Sequence, residues 1–180
     1  PYEKGLFILA PMVRIGTLPM RLLALEYGAE LVYTPEIIAK KLAADTTIRI
    51  ENALLDTIDF IDERDAEQSK LILRIHRKEK GKIVCQIGAA DPFYAVKAAQ
   101  KIAQDVVAID LNCGCPKPFS VHDGAGSALL ETPELLETIL KGLVSAVPIP
   151  VTCKIRLLPS KDNLSSLERT ISLLKRLENT

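Results

Sequence analysis

The sequence has no tryptophan, and aromatic residues make up only 4% of its 180 positions. That scarcity argues against the rows of stacking platforms with which single-strand binders hold unpaired bases. Neither sign of charge prevails, because 23 basic side chains meet 23 acidic ones for a formal net charge of zero. A generally cationic coat for nucleic acid is thereby excluded, while a local patch remains compatible with the balance. No apolar stretch comes near the roughly 20 residues that a membrane-spanning helix needs, so no membrane partner is expected. The opening residues, Pro1-Tyr2-Glu3-Lys4-Gly5, carry no long apolar signal region. Cysteine is sparse at four residues: Cys85, Cys113, Cys115 and Cys153. Three of them sit in or beside apolar runs, where thiols behave as small hydrophobes. A reduced, intracellular and most simply cytoplasmic setting is expected rather than a disulfide framework.

What is present is an apolar chain with evenly mixed charge. Its 48% hydrophobic content rules out a disordered segment. Its length suits one domain that buries about 70% of the surface its unfolded chain would expose. Short apolar runs alternate with helical patterns, as βαβ units around a parallel sheet require. Core strands are expected over 6–10, 30–34, 82–87, 106–111 and 150–156. Thr17 is placed to cap a helix with Pro19 in its first turn and Gly28 at its end. Asp91-Pro92 opens a second helix, Thr132-Pro133-Glu134 a third, and Ser160 or Asp162 a fourth. Residues 35–54 read as helix. Thr57-Ile58-Asp59-Phe60-Ile61 and Leu71-Ile72-Leu73-Arg74-Ile75 read as a hairpin appended to the main sheet. Five such strands fit either an open doubly wound sheet or part of a (β/α)8 barrel. No G-x-G-x-x-G follows the first strand, which weakens the dinucleotide-binding form of the open sheet. A full barrel takes about 250 residues, so this length supplies about five of its eight units.

In either architecture the chemistry belongs at the carboxyl ends of the parallel strands. Those ends are Pro11-Met12, Glu36, Gln86, Asn112 with Cys115, and Lys154 with Arg156. In Asn112-Cys113-Gly114-Cys115-Pro116, Gly114 permits a sharp turn and Pro116 stiffens the exit, which holds Cys115 in a defined position; the functional reading makes it a proton donor or nucleophile. The plainer alternative is a structural thiol in a turn, which is also how Cys113 reads. Cys113-x-Cys115 lacks a second Cys/His pair at zinc spacing, so no metal is expected. Lys154 and Arg156 alternate along a strand and should share a face. There they would meet an anionic or electron-rich ligand, or simply reach solvent; a Schiff-base role for Lys154 stays open. The Gln86 amide suits a heterocyclic imide edge, or is a satisfied core amide. The basic stretch from Arg74 to Lys82 reads as a phosphate contact or as a solvated turn. Gly124-Ala125-Gly126 reads as an anion-binding helix start or as a loop that closes over substrate.

Several of these stretches together resemble the dihydrouridine synthases. They are Leu9-Ala10-Pro11-Met12, the Asn112-x-Gly114-Cys115-Pro116 core, Gly124-x-Gly126-Ser127-Ala128-Leu129-Leu130 and Cys153-Lys154-Ile155-Arg156. Val13-Arg14-Ile15-Gly16-Thr17-Leu18-Pro19-Met20-Arg21 and Lys117-Pro118-Phe119-Ser120 are most similar to the eukaryotic branch that acts on uridine 20. The resemblance implies a flavoenzyme that reduces uridine to 5,6-dihydrouridine in tRNA, built on a TIM (β/α)8 barrel with FMN at its mouth and NADPH as reductant. Residues 1–180 would then be one partial FMN-binding domain, about the first five β/α units with an inserted hairpin. The later barrel units, the loops gripping the FMN phosphate and the RNA-binding domains would lie outside it. By the same resemblance, the backbone at Pro11 and Met12 packs on the flavin, Gln86 bonds its pyrimidine edge, and Lys154 approaches its N1 and O2. Hydride would pass to uracil C6 while the Cys115 thiol protonates C5, with Asn112 and Arg156 holding the base. The rival expectation is a non-catalytic fragment or interaction module of the same fold.

Overall fold

The computed structural model describes residues 5–64, 70–161 and 164–178. In chain order its elements are β1 (Ile8–Leu9), α1 (Leu18–Glu26), β2 (Leu31–Tyr33), β3 (Ile37–Ile38), α2 (Ala39–Leu42), β4 (Thr47–Asn52), β5 (Thr57–Asp62) and β6 (Lys70–His76). They continue with β7 (Ile83–Gly88), α3 (Pro92–Ile102), β8 (Ala108–Asn112), α4 (Pro118–Val121), α5 (Pro133–Ala146), β9 (Val151–Lys154) and α6 (Ser166–Leu177). The main sheet is ordered β1-β2-β7-β8-β9 and is parallel throughout, with β3 also pairing to β7. Leaving out the inserted segment, its strands lie side by side in the order the chain makes them. The chain therefore advances in one direction, as around a half-barrel, without the reversal that defines a doubly wound sheet.

The two faces of this sheet differ in chemistry. One carries Val32, Ile83, Cys85, Ile87, Ile109 and Leu111, all buried in a cluster with Ala95, Ala98, Ala99 and Ile102 of α3 and Leu136, Ile139 and Leu143 of α5. Each of the large aliphatic side chains there contributes about 1.5–3 kcal/mol by leaving water. Asp91 accepts a hydrogen bond from the Phe93 backbone N–H at 2.8 Å and so caps α3. The opposite face begins with a small apolar layer of Tyr33, Val84 and Ala108. Two residues further along the strands, register brings Gln86 beside Asp110, and Asp110 beside Thr152. Strand alternation sets this polar row on the face away from the helices.

Residues 35–54 are not one helix. Only Ala39–Leu42 is helical, and Thr47–Asn52 is a strand in which Thr47, Arg49 and Glu51 alternate with Ile48 and Ile50. That period of two suits an edge strand, and β4 pairs antiparallel with β5 along its whole length. The insertion is thus a three-stranded antiparallel sheet, β4-β5-β6, rather than a hairpin. Its arginines are paired: Arg74 with Asp59, Arg49 with Asp105, and Arg77 with Asp56 and Glu51. Within the stretch from Arg74 to Lys82, Arg74 and Arg77 are accordingly committed to ion pairs. Glu79 within it is fully buried against Arg21 of α1.

The last helix starts one turn later than expected. Ser165 caps it, accepting from Glu168 N–H while the Glu168 carboxylate takes the Ser165 backbone N–H at 2.8 Å. Ser160 precedes the cap by five residues, and Asp162 lies outside the described residues. Thr17 does occupy the capping position of α1, but its side chain makes no capping bond. Among the described residues no helix is long and apolar enough to cross a membrane.

Candidate active site

The polar row leads to a set of side chains at the carboxyl ends of the strands. A cleft of about 160 Å³ there is lined by Pro11, Val13, Gln86, Asn112, Gly114, Cys115 and Lys154. A second cleft of about 340 Å³ shares Pro11 and Lys154 and runs along the polar face past Ile8, Ala10, Tyr33, Asp110, Thr152 and Cys153. Five of the residues singled out by sequence, Pro11, Gln86, Asn112, Cys115 and Lys154, therefore meet at one opening. They come from four separate strand ends.

Met12 and Arg156 lie elsewhere. Met12 is 43% exposed, and its carbonyl accepts from the Ile15 and Gly16 N–H groups at 3.2 Å each, closing a turn beside the opening. Arg156 does not share the Lys154 face. Strand β9 ends at Lys154, so the alternation stops before position 156. Its Nε instead donates to the Gly114 carbonyl at 2.8 Å, from a neighbouring cleft that also contains Val121, Ser127 and Leu130.

Gln86 is held by residues that apolar patterning hid. Its Nε2 donates to Asp110 Oδ2 at 2.7 Å, and Thr152 Oγ1 donates to Asp110 Oδ1 at 2.7 Å. The Gln86 backbone N–H donates to Thr34 Oγ1 at 3.0 Å. Asp110 is 2% exposed, and burial pushes its carboxyl above the ordinary value although both hydrogen bonds oppose the rise. The Gln86 side chain is thus fixed with its carbonyl oxygen uncommitted among the described residues. The Lys154 side chain makes no hydrogen bond or ion pair among them; its charge acts on Asp110 only at a distance. An isolated carboxylate in the middle of the run 106–111 was the visible signal for Asp110.

The Asn112–Cys115 turn is fastened at both ends. Asn112 Oδ1 accepts from the Gly114 N–H at 3.0 Å and the Cys115 N–H at 3.1 Å, an Asx-type turn. The Cys115 carbonyl accepts from the Ser127 N–H at 2.9 Å. Gly126 makes that approach possible, with φ +61° and a Cβ position that would fall 2.5 Å from the Cys115 carbonyl oxygen. Gly126 therefore packs against the thiol loop. Among the other thiols, burial pushes Cys85 up to about 12. Cys113 is fully buried and held protonated by its contact with the Cys153 sulfur and by burial.

This opening suits a planar heterocycle with an imide edge and an electron-rich rim. An amide oxygen, an ammonium and an apolar floor of Ile8, Ala10 and Pro11 converge on it. Among the described residues no group of three or more His, Cys, Asp or Glu side chains is placed to hold a metal ion.

Sequential parallel strands with polar groups gathered at their carboxyl ends define an α/β protein of the barrel type of site. Comparison with known proteins makes the assignment specific. The profile of one family, Dihydrouridine synthase (Dus), matches residues 8–180. A tRNA-dihydrouridine(20) synthase of Schizosaccharomyces pombe, named for NAD(P)+, is 48% identical over 167 residues, which cover 89% of this chain and 34% of that protein. Its counterpart in Saccharomyces cerevisiae is 47% identical over 180 residues, 96% of this chain and 45% of that protein. A tRNA-dihydrouridine synthase B of Pasteurella multocida is 35% identical over 166 residues, 92% of this chain and 44% of that protein. The chain belongs to the dihydrouridine synthase family, and it spans less than half the length of each of these relatives.

Proposed function

We propose that this chain forms the flavin- and uracil-facing part of a tRNA-dihydrouridine synthase that reduces uridine to 5,6-dihydrouridine. Its five sequential β/α units then form the first part of a (β/α)8 barrel, and residues 1–180 belong to one FMN-binding domain. The observation that supports this reading best is the common lining of one opening by Pro11, Gln86, Asn112, Cys115 and Lys154. FMN, rereduced by NADPH, supplies hydride chemistry at such a site.

Each residue has a distinct task. Gln86, steadied by Asp110, offers its carbonyl oxygen to an imide N–H, and Lys154 offers a positive charge to the adjoining carbonyl edge. Pro11 and the Met12 backbone close the apolar side. Cys115 is the proton donor to uracil C5, since a carbanion-like centre requires an acid within hydrogen-bond reach. Asn112 Oδ1 is already occupied by two backbone donors, so its amide nitrogen, which carries two N–H groups and also faces Glu36, is the group that orients the base. The Arg156 guanidinium, tethered at Nε to the Gly114 carbonyl, can turn its remaining N–H groups to the same base. The nucleotide must leave its stack to reach this opening. tRNA as partner and a cytoplasmic setting follow from the reading.

Two measurements test it. Purified protein should show flavin absorbance after exposure to FMN. In the holoenzyme, Cys115→Ala should abolish dihydrouridine formation while NADPH still reduces the flavin. Unchanged product from that variant, or a borohydride-trapped substrate adduct on Lys154, would overturn the reading.

A further inference from the structure

Glu36 lies in the link between β2 and β3, at a strand end, and has no task in the scheme above. Its Oε1 accepts from Ser120 Oγ at 3.2 Å. Its Oε2 is buried and has no hydrogen-bond partner among the described residues. The side chain rests on the last residue of β7: a Cβ at Gly88 would fall 2.1 Å from Oε1. Burial raises the Glu36 carboxyl above its ordinary value, with Ser120 and the neighbouring Asn112 side chain opposing the rise.

One neighbour of this carboxylate bonds to Cys115, and the other lies close to it. Asn112 holds the Cys115 N–H. Ser120 lies under the Cys115 carbonyl: the Cβ position of Gly126 would sit 2.4 Å from Ser120 Oγ and 2.5 Å from that oxygen. Glu36 and Ser120 are 84 positions apart in the chain, so the contact joins the link before β3 to helix α4, which follows the thiol loop. A side chain needed only for packing here would be apolar or fully satisfied, and a half-buried carboxylate with one sealed, unpartnered oxygen is a departure found where function demands it.

We propose that Glu36 is a positioning residue for proton delivery, fixing Asn112 and Ser120 and through them the direction in which the Cys115 sulfur points. This rests on the assignment of Cys115 as the proton donor. Displacing a donor by about 1 Å costs on the order of 100-fold in rate, so small losses of hold are readable.

The test separates the two half-reactions of the holoenzyme by stopped flow. Glu36→Ala should slow uridine-dependent oxidation of the reduced flavin by about 10- to 100-fold, while NADPH reduces the flavin at the wild-type rate. Glu36→Gln keeps an acceptor for the Ser120 hydroxyl and should recover most of that loss, which a proton-transfer role for Glu36 would not allow. Ser120→Ala removes one hydroxyl only; it should slow the same half-reaction, and adding it to Glu36→Ala should produce no further loss. A second readout needs no cofactor: alkylation of Cys115 by iodoacetamide, followed by peptide mass spectrometry, should change by about threefold or more in Glu36→Ala. Wild-type uridine rates together with unchanged Cys115 alkylation in Glu36→Ala and Ser120→Ala overturn the proposal. Equal loss in both half-reactions overturns it too, since that marks a damaged fold. A wild-type enzyme that fails to reduce uridine defeats the functional reading instead, and the alkylation result then decides the positioning claim by itself.

Discussion

Replacing Arg21 by methionine removes one member of the most completely buried ion pair among the described residues while keeping much of its volume. Arg21 is 1% exposed and Glu79 0%. Four hydrogen bonds would be lost: Nε to Glu79 Oε1 at 2.6 Å, Nη2 to Glu79 Oε2 at 3.1 Å, Nη1 to the Gly16 carbonyl at 2.7 Å, and Nη2 to the Arg74 carbonyl at 2.7 Å. Glu79 would keep only the His76 N–H, at 2.9 Å, as a partner for a charge sealed from water. Breaking such a pair from one side costs about 3–5 kcal/mol, because the surviving charge is stranded. With a urea dependence of about 2 kcal/mol per M, the unfolding midpoint should fall by about 1.5–2.5 M. Adding Glu79→Gln removes the stranded charge and still accepts from His76 N–H, so the double variant should be more stable than Arg21→Met alone. Equilibrium urea unfolding of the wild type, both single variants and the double variant gives the coupling directly. A loss below about 1 kcal/mol for Arg21→Met, or a double variant as damaged as the sum of the singles, would refute the assignment of this pair as a buried latch.

Other expectations concern charge and backbone. The Arg74 guanidinium holds Asp59 below the ordinary carboxylate value, so its contribution is present above about pH 4 and is lost as pH falls through the lower folded value. Asp59→Asn should cost about 1.5–3 kcal/mol at neutral pH, and acid titration of stability should show a shallower fall in that variant. Asp110 is perturbed in the opposite sense: its raised folded value means that its ionisation lowers stability as pH rises above the unfolded value. Asp110→Asn should remove that downward slope between weakly acid and neutral pH; an unchanged slope in thermal melts would contradict it. Gly126→Ala combines a left-handed φ with a Cβ 2.4 Å from Ser120 Oγ, and should cost about 1–3 kcal/mol. The same substitution should disturb Cys115 before it unfolds the sheet, visible as altered alkylation of that thiol in still-folded protein.

The parallel strands were legible because each is a short apolar run, and the strand-end residues were legible because a polar side chain follows such a run where an aliphatic one would be cheaper. What hides from sequence is anything that depends on a distant partner. Arg74 and Arg77 read as a basic surface, yet Asp59, Asp56 and Glu51 neutralise them across the inserted sheet. Strand β4 was misread because Ile37, Ile38 and Leu42 supply helical spacing just before the two-residue period of Thr47–Asn52 begins. The Arg156 side chain was assigned to the Lys154 face by alternation alone, and only the end of β9 decides otherwise. Glu36 was visible as a strand-end carboxylate, but Ser120 lies 84 positions away, and no local pattern links the two.

The Arg21–Glu79 latch also bears on how the inserted sheet can be exchanged between proteins. Its two ends are 58 positions apart, one in the first helix of the main unit and one just past the insertion. A chimera that swaps residues 47–76 alone would respect every strand boundary and retain Glu79, yet remain soundly joined only if the donor sheet also presents a carbonyl where Arg74 now does. Swapping a longer segment that includes position 79 imports a foreign partner for Arg21, and with it a fault line through the turn that follows Met12. The insertion and the first helix therefore form one bonded unit, and grafts should be cut to carry both.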